Sequence, residues 1–75
     1  MLIFSKDRKT IADCNTLSVT KNFGKKDEKF AIVASVSSEA FDTKVLALYP
    51  DEKTALLELE RLFEAFEGGA RAYKL

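Results

Sequence analysis

Residues 51 to 69 read DEKTALLELERLFEAFEGG and carry the clearest periodic pattern in the chain. At about 100° per residue, the apolar residues form one stripe over roughly a third of a helix surface, and the glutamates fall outside it. Asp51 is suited to cap the first turn, and Gly68-Gly69 to end the last one. The stripe must be covered, because so short a helix is marginal alone. We therefore expect one face of a sheet to cover Ala55, Leu56, Leu59, Leu62, Phe63 and Phe66.

The residues before this helix predict a series of short strands separated by polar turns. The predicted strands are Leu2 to Ser5, Thr10 to Asp13, an alternating run from Leu17, Phe30 to Val36, and Thr43 to Tyr49. Arg71 to Lys74 favour a last short strand after the helix. The connections are too short for parallel crossovers. The sequence thus predicts an α+β fold: an antiparallel β-meander of about five strands, with one C-terminal amphipathic helix packed on one face and a final short strand.

Length and composition indicate one globular domain spanning residues 1–75. The chain is 47% hydrophobic and 32% charged, which is typical of a folded globular protein. No apolar run approaches the roughly 20 residues of a membrane span, and the short apolar start lacks the long apolar region of a signal peptide. We expect a cytoplasmic protein that does not contact a membrane.

The residue types argue against an enzyme. The chain has no histidine and a single cysteine, Cys14, so an internal disulfide and a conventional Cys/His zinc site are both excluded. No sequence feature supplies a base or an activated thiolate near neutral pH. Glu60, Glu64 and Glu67 are explained as a solvated helix face, and the glycines form no phosphate-binding loop. We predict no catalysis, no metal, no cofactor and no small-molecule substrate.

The two longest strands are apolar on both faces, although one helix can cover only one face of a sheet. Strict alternation places Val45, Ala47 and Tyr49 on one side and Leu46 and Leu48 on the other. One explanation is a curled sheet whose second face lies partly beneath the amino-terminal hairpin. The other is an interface with a partner or a second copy of the chain. The interaction candidates are Val33, Leu46, Leu48 and, on the helix, Leu57.

Basic residues concentrate in the first third of the chain. Residues 1 to 26 hold six basic and two acidic side chains, whereas residues 27 to 75 hold six basic and ten acidic ones. Lysines and arginine beside an exposed aromatic would suit single-stranded nucleic acid. A sequence pI of about 6.2 is low for such a domain, so this is the alternative hypothesis. Its candidates are Lys6, Arg8, Lys9, Lys21, Phe23, Lys25 and Lys26.

Several segments carry a family resemblance. They are the opening Met1-Leu2-Ile3-Phe4-Ser5-Lys6-Asp7 with its basic turn and Ile11, the later Leu46-Ala47-Leu48-Tyr49, and the acidic cap followed by Ala55. Together they resemble small uncharacterised proteins of Gram-positive bacteria and their phages. The resemblance implies a compact meander-plus-helix fold and a mobile-element origin, and it supplies no catalytic residues.

These inferences lead to one functional hypothesis. We expect a non-enzymatic protein-interaction module that binds another protein, or itself as a homodimer, through the second face of the sheet. One concrete version is a phage accessory protein that inhibits a host defence complex, as anti-CRISPR proteins do. The alternative is a small protein that binds single-stranded nucleic acid through its basic amino-terminal turns. The helix itself is interpreted as structural.

Overall fold

A computed structural model describes residues 1–14, 16–35 and 43–75, and within them the fold is α+β as predicted. The strands are β1 (Leu2–Phe4), β2 (Ile11–Asp13), β3 (Thr16–Lys21), β4 (Phe30–Ser35), β5 (Thr43–Tyr49) and β6 (Ala72–Lys74), and the helix α1 is Glu52–Glu67. The predicted loop at Ser37 to Ala40 and the end of the fourth strand at Val36 lie outside the described residues.

The strands form two three-stranded sheets. Sheet A has the order β2-β1-β6, with β1 antiparallel to β2 and parallel to β6. Sheet B has the order β3-β4-β5 and is antiparallel throughout. The final short strand is thus confirmed, and it pairs with the first strand. The argument from short connections did not anticipate this parallel pair, because almost the whole chain serves as its crossover.

Both ends of α1 form where the sequence places them. The side chain of Asp51 accepts a hydrogen bond from the Thr54 N–H at 2.7 Å. At the other end, the Ala70 N–H donates to the Ala65 carbonyl and the Gly69 N–H to the Phe66 carbonyl, which is a Schellman motif. Gly69 has φ of +87°, the left-handed conformation that this motif requires, whereas Gly68 has φ of −79°.

The turn between β1 and β2 is held by a buried hydroxyl. Ser5 is almost fully buried, and its Oγ donates to Asp7 and accepts from the Thr10 N–H. The Asp7 carboxylate also accepts from the Lys9 N–H. Arg8 has φ of +65° between them. These bonds explain how a charged four-residue segment forms a defined turn.

One core joins the two sheets and the helix. The buried residues are Ile3, Ala12 and Cys14 from sheet A and its end, Ile32, Ala34, Leu46, Ala47 and Tyr49 from sheet B, and Ala55 and Leu62 from α1. The amino-terminal hairpin therefore belongs to the same core as the helix. The curled-sheet explanation assigned this hairpin to the second face of the sheet, and that placement is wrong.

A β-bulge in β5 changes which side chains face the core. Ile32 pairs with Ala47 while Val33 pairs with Val45, so Leu46 has no partner on β4. The Leu46 side chain is 2% exposed, and its carbonyl accepts a hydrogen bond from the Lys6 N–H at 2.9 Å. The prediction that Leu46 lies on an uncovered face is therefore wrong, and Val45 takes that place. The bulge also ties the end of β1 to sheet B.

Candidate interaction surface

The apolar stripe of α1 is only half covered. Ala55 and Leu62 are fully buried and Leu59 is half-buried, but Phe63 and Phe66 are each 62% exposed and Leu56 is 44% exposed. Full burial of the stripe was expected, and for these last three residues the expectation is wrong. Their positions on the helix surface are contiguous, because residues three, four and seven apart lie on one side. We call Leu56, Phe63 and Phe66 the helix strip.

The helix strip forms one wall of an apolar groove. The groove has a volume of about 640 Å³, and its opposite wall comes from the amino terminus and the start of β3. α1 packs across β3, β4 and β5, and the groove opens where the helix passes beyond the edge strand β3. The lining residues are Met1, Cys14, Leu17, Leu56, Leu59, Glu60, Leu62, Phe63 and Phe66.

The lining of the groove is almost entirely apolar. Glu60 is the one charged side chain among the lining residues. The ion pair of Arg61 with Glu58, at 3.7 Å, lies elsewhere on α1, because both residues line a separate recess with Tyr49. An apolar, aromatic lining with few charges is typical of the centre of protein-binding surfaces.

The groove includes the thiol of Cys14, but this thiol is poorly suited to chemistry. Burial raises the pKa of Cys14, and the Asp13 carboxylate raises it further against the opposing effect of the amino terminus. Its Sγ lies 3.4 Å from the Ala12 carbonyl oxygen. A neutral thiol is a weak nucleophile and a poor metal ligand, so at neutral pH Cys14 acts as part of the apolar wall.

The two tyrosines are also held in the neutral form. Burial raises the pKa of Tyr49 to about 12, with further contributions from Glu58 and Tyr73. Burial likewise raises the pKa of Tyr73. Neither phenol can act as a base near neutral pH. Across the described ranges there is also no group of three or more acidic or cysteine side chains arranged to hold a metal ion.

The predicted sheet-face candidates form a modest surface. Val33 and Leu48 are half-buried, and their strand neighbour Val45 is 54% exposed. The flanking residues of β3 on this face, Ser18 and Thr20, are polar. Leu57 is 50% exposed but projects from the side of α1 away from the helix strip. The structure does not bring these candidates into one apolar patch with Leu46, because Leu46 lies in the core.

The basic candidates and Phe23 do not form one continuous surface in the structure. The Lys6 ammonium lies 4.6 Å from the centre of the Tyr49 ring. Tyr49 pairs with Phe30 and Phe30 with Lys21, so Lys6 and Lys21 lie at the same end of sheet B. Arg8 instead stacks 5.1 Å from the Phe4 ring. Phe23, Lys25 and Lys26 are exposed in the connection between β3 and β4, and Lys9 is exposed in the first turn.

Sequence reasoning missed the helix strip and the edge of β3. The helical period identifies an apolar stripe, but it does not say which part of the stripe faces the sheet. The period gives no warning of the exposed residues, because Phe66 falls between Ala55 and Leu59 on the helix surface, although Ala55 is buried and Leu59 half-buried.

Searches of protein-family models, curated proteins and solved structures returned no match for this chain. No helix within residues 1–14, 16–35 and 43–75 is long and apolar enough to cross a membrane. The resemblance drawn from the amino-terminal segments remains a hypothesis, as does the cytoplasmic location.

Proposed function

We propose that this protein is a non-enzymatic protein-interaction module that binds through the groove between α1 and β3. The observation that carries the proposal is the exposure of Phe63 and Phe66, which at 62% are the most exposed large apolar side chains of α1. Two adjacent phenylalanines with most of their surface in water are unusual on a small monomer, and aromatic side chains are enriched at protein interfaces.

The size of the surface supports this proposal. An aromatic side chain presents roughly 200 Å², so Phe63 and Phe66 at 62% exposure leave about 250 Å² of apolar surface uncovered. Leu56 adds to this area and brings it into the range in which monomer patches are often functional. At about 25 cal/mol per Å², covering the two rings would contribute about 6 kcal/mol before the costs of association.

Photocrosslinking tests the surface directly. A benzophenone amino acid replaces Phe63 in one variant and Leu57 in the matched control, because both residues are half or more exposed on the same helix. In cells of the source organism, we expect the probe at position 63 to give a discrete crosslinked protein, identified by mass spectrometry. If the probe at position 57 gives the same product with equal yield, or position 63 gives none, the groove is not the binding surface.

The narrower version of this function is inhibition of a host defence complex, in the manner of an anti-CRISPR protein. It rests on the resemblance to phage and Gram-positive proteins. Co-expression with a defence system of the host during phage challenge tests it. We expect the wild-type chain to protect the phage. Phe63→Lys should lose this protection, and Leu57→Lys should keep it. Unchanged phage restriction would reject this version and leave the general proposal in place.

A second function, binding of single-stranded nucleic acid, is favoured by one observation. Lys6 and Lys21 lie at the same end of sheet B, and the nearby Phe23 is fully exposed. We expect any retention on single-stranded DNA to fall with salt and to be lost in a Lys25→Glu, Lys26→Glu double variant. Retention that is unchanged in this variant would place nucleic-acid binding elsewhere, and no retention at low salt would reject it.

A further inference from the structure

The free edge of β3 lies beside the groove and carries its own binding groups. The Asn22 N–H donates to the Lys29 carbonyl at 2.7 Å, which identifies a hydrogen-bonded pair at the end of the β3–β4 ladder. Such pairs alternate along an antiparallel ladder, so Ser18 and Thr20 direct their backbone groups towards β4. The backbone N–H and C=O groups of Leu17, Val19 and Lys21 therefore point outward, where none of the described strands pairs with them.

We propose that a second copy of this chain occupies the groove, by antiparallel pairing of β3 with β3 of the second copy. This inference rests on the proposed function, since it names the partner of the same surface. The pairing joins two B sheets into one six-stranded sheet. Both helices then lie on the same face of that sheet, because α1 covers the face that carries Leu17 and Val19.

The sequence of β3 favours one symmetric register. With the twofold axis at Val19, Val19 pairs with Val19 of the second copy, and Leu17 pairs with Lys21 of the second copy. Each of these positions has outward backbone groups, so each pair exchanges two hydrogen bonds. The apolar stem of the lysine covers the leucine while its ammonium group reaches water. Registers centred on Ser18 or Thr20 also oppose outward groups, but they pair only two of the three outward residues of β3, whereas the register centred on Val19 pairs all three.

The helix strips face each other in this arrangement. α1 packs across all three strands, so the two helix axes lie about three strand spacings apart, or about 14 Å at about 4.8 Å per strand. This is wider than the roughly 8–10 Å of directly packed helices and leaves space for large side chains. The twofold axis makes the two copies of α1 antiparallel. Lys53, near the start of the helix, then lies towards Glu67 of the second copy, near the end. Phe63 and Phe66 of both copies fill the space between the helices.

The same register brings Phe23 towards the groove of the second copy. This side chain is fully exposed and lies two residues beyond Lys21, on the same side of the strand by alternation. In the paired arrangement it extends past Leu17 of the second copy, towards the mouth of that copy's groove, where Met1 and Cys14 also lie. An isolated exposed phenylalanine in a turn is thereby matched to an apolar recess.

The other strand edges are less suited to pairing. In β5, the bulge at Leu46 breaks the regular edge, and the Leu46 carbonyl is already bonded to the Lys6 N–H. A bulged edge resists addition of a strand. The outer strands of sheet A, β2 and β6, have three residues each, against six in β3. The edge of β3 is thus the longest regular one in the described part of the chain.

Sedimentation equilibrium measures the association. We expect the wild-type chain at tens of micromolar to sediment at twice its mass of 8.4 kDa. Val19→Pro removes an N–H that points outward, a change that edge strands tolerate, so it should give a folded monomer. Phe63→Lys should also give a monomer, and Leu57→Lys should remain a dimer. A wild-type monomer at several hundred micromolar would overturn the proposal.

Disulfide trapping tests the register. In a Cys14→Ala background, Val19→Cys places two thiols at the twofold axis, where paired Cα atoms are about 5.5 Å apart and within disulfide range. We expect rapid oxidation to a covalent dimer, and slow oxidation for the control Val45→Cys, an exposed valine on the opposite edge strand. Equal rates would overturn the register. A monomer whose position 63 still crosslinks to a different protein would reject the second copy and retain the proposed function.

Discussion

Two neighbouring residues of α1 should respond very differently to truncation. Leu62 is 1% exposed, whereas Phe63 is 62% exposed. Leu62→Ala leaves a cavity in the core, and such changes cost about 3 kcal/mol or more. About 75 Å² of the roughly 200 Å² of the Phe63 side chain is covered. At about 25 cal/mol per Å², this burial contributes about 2 kcal/mol, which is the upper limit for the loss of stability in Phe63→Ala.

Urea unfolding followed by circular dichroism measures both values. A chain of this length has a free energy of unfolding of roughly 4–11 kcal/mol, so Leu62→Ala removes a large fraction of it. With a slope of about 1 kcal/mol per M, the midpoint should fall by about 3 M for Leu62→Ala and by less than 2 M for Phe63→Ala. The Val19→Pro background keeps the chain monomeric during the comparison. Equal shifts of the two midpoints would show that Leu62 and Phe63 are equally buried, and would refute the exposure of the helix strip.

Three further predictions concern the cap, the helix end and the thiol. The hydrogen bond from the Thr54 N–H lowers the pKa of Asp51, so the stabilisation from this carboxylate is complete above its unfolded pKa near 4 and is lost as pH falls through the lower folded pKa. Asp51→Asn should keep the cap at pH 7 and weaken the loss of stability in acid. An unchanged loss of stability in acid would contradict this. Gly69→Ala should lower the free energy of unfolding by about 1 kcal/mol because φ is positive there, while Gly68→Ala should be near neutral in the same thermal melts; the reverse order would be inconsistent with the Schellman motif. Cys14 should react with an aromatic disulfide reagent at pH 7 at least about tenfold faster in urea than in the folded protein, and equal rates would mean that the thiol is not buried.

The elements were predictable because their signals are local. The Asp51 cap, the Gly68-Gly69 end and the alternation in the strands each depend on residues within one or two turns of chain. These signals predict seven elements and the α+β class, and the structure confirms them in its described residues. Turn chemistry at Ser5 and Asp7 belongs to the same local class.

The surface was not predictable, because it depends on how elements meet. A bulge at Leu46 shifts the facing of β5 by one residue, and nothing in its apolar run marks where the extra residue falls. The rotation of α1 about its axis is set by contacts with β3, β4 and β5, so the helical period could not separate Leu62 from Phe63. The predicted interaction surface therefore lay on the second face of the sheet, whereas the larger exposed apolar area lies on α1.

The pairing of β1 with β6 has a consequence for the order of folding. Leu2 and Ala72 are direct partners although they are seventy positions apart, so this pair closes the longest loop in the molecule. The entropy of such a closure must be offset by contacts made earlier, which favours a nucleus of sheet B and α1 with sheet A completed last. Amides of β6 should then become protected after those of β4 in pulse-labelled hydrogen exchange. During synthesis, β1 would remain without its parallel neighbour until β6 had left the ribosome.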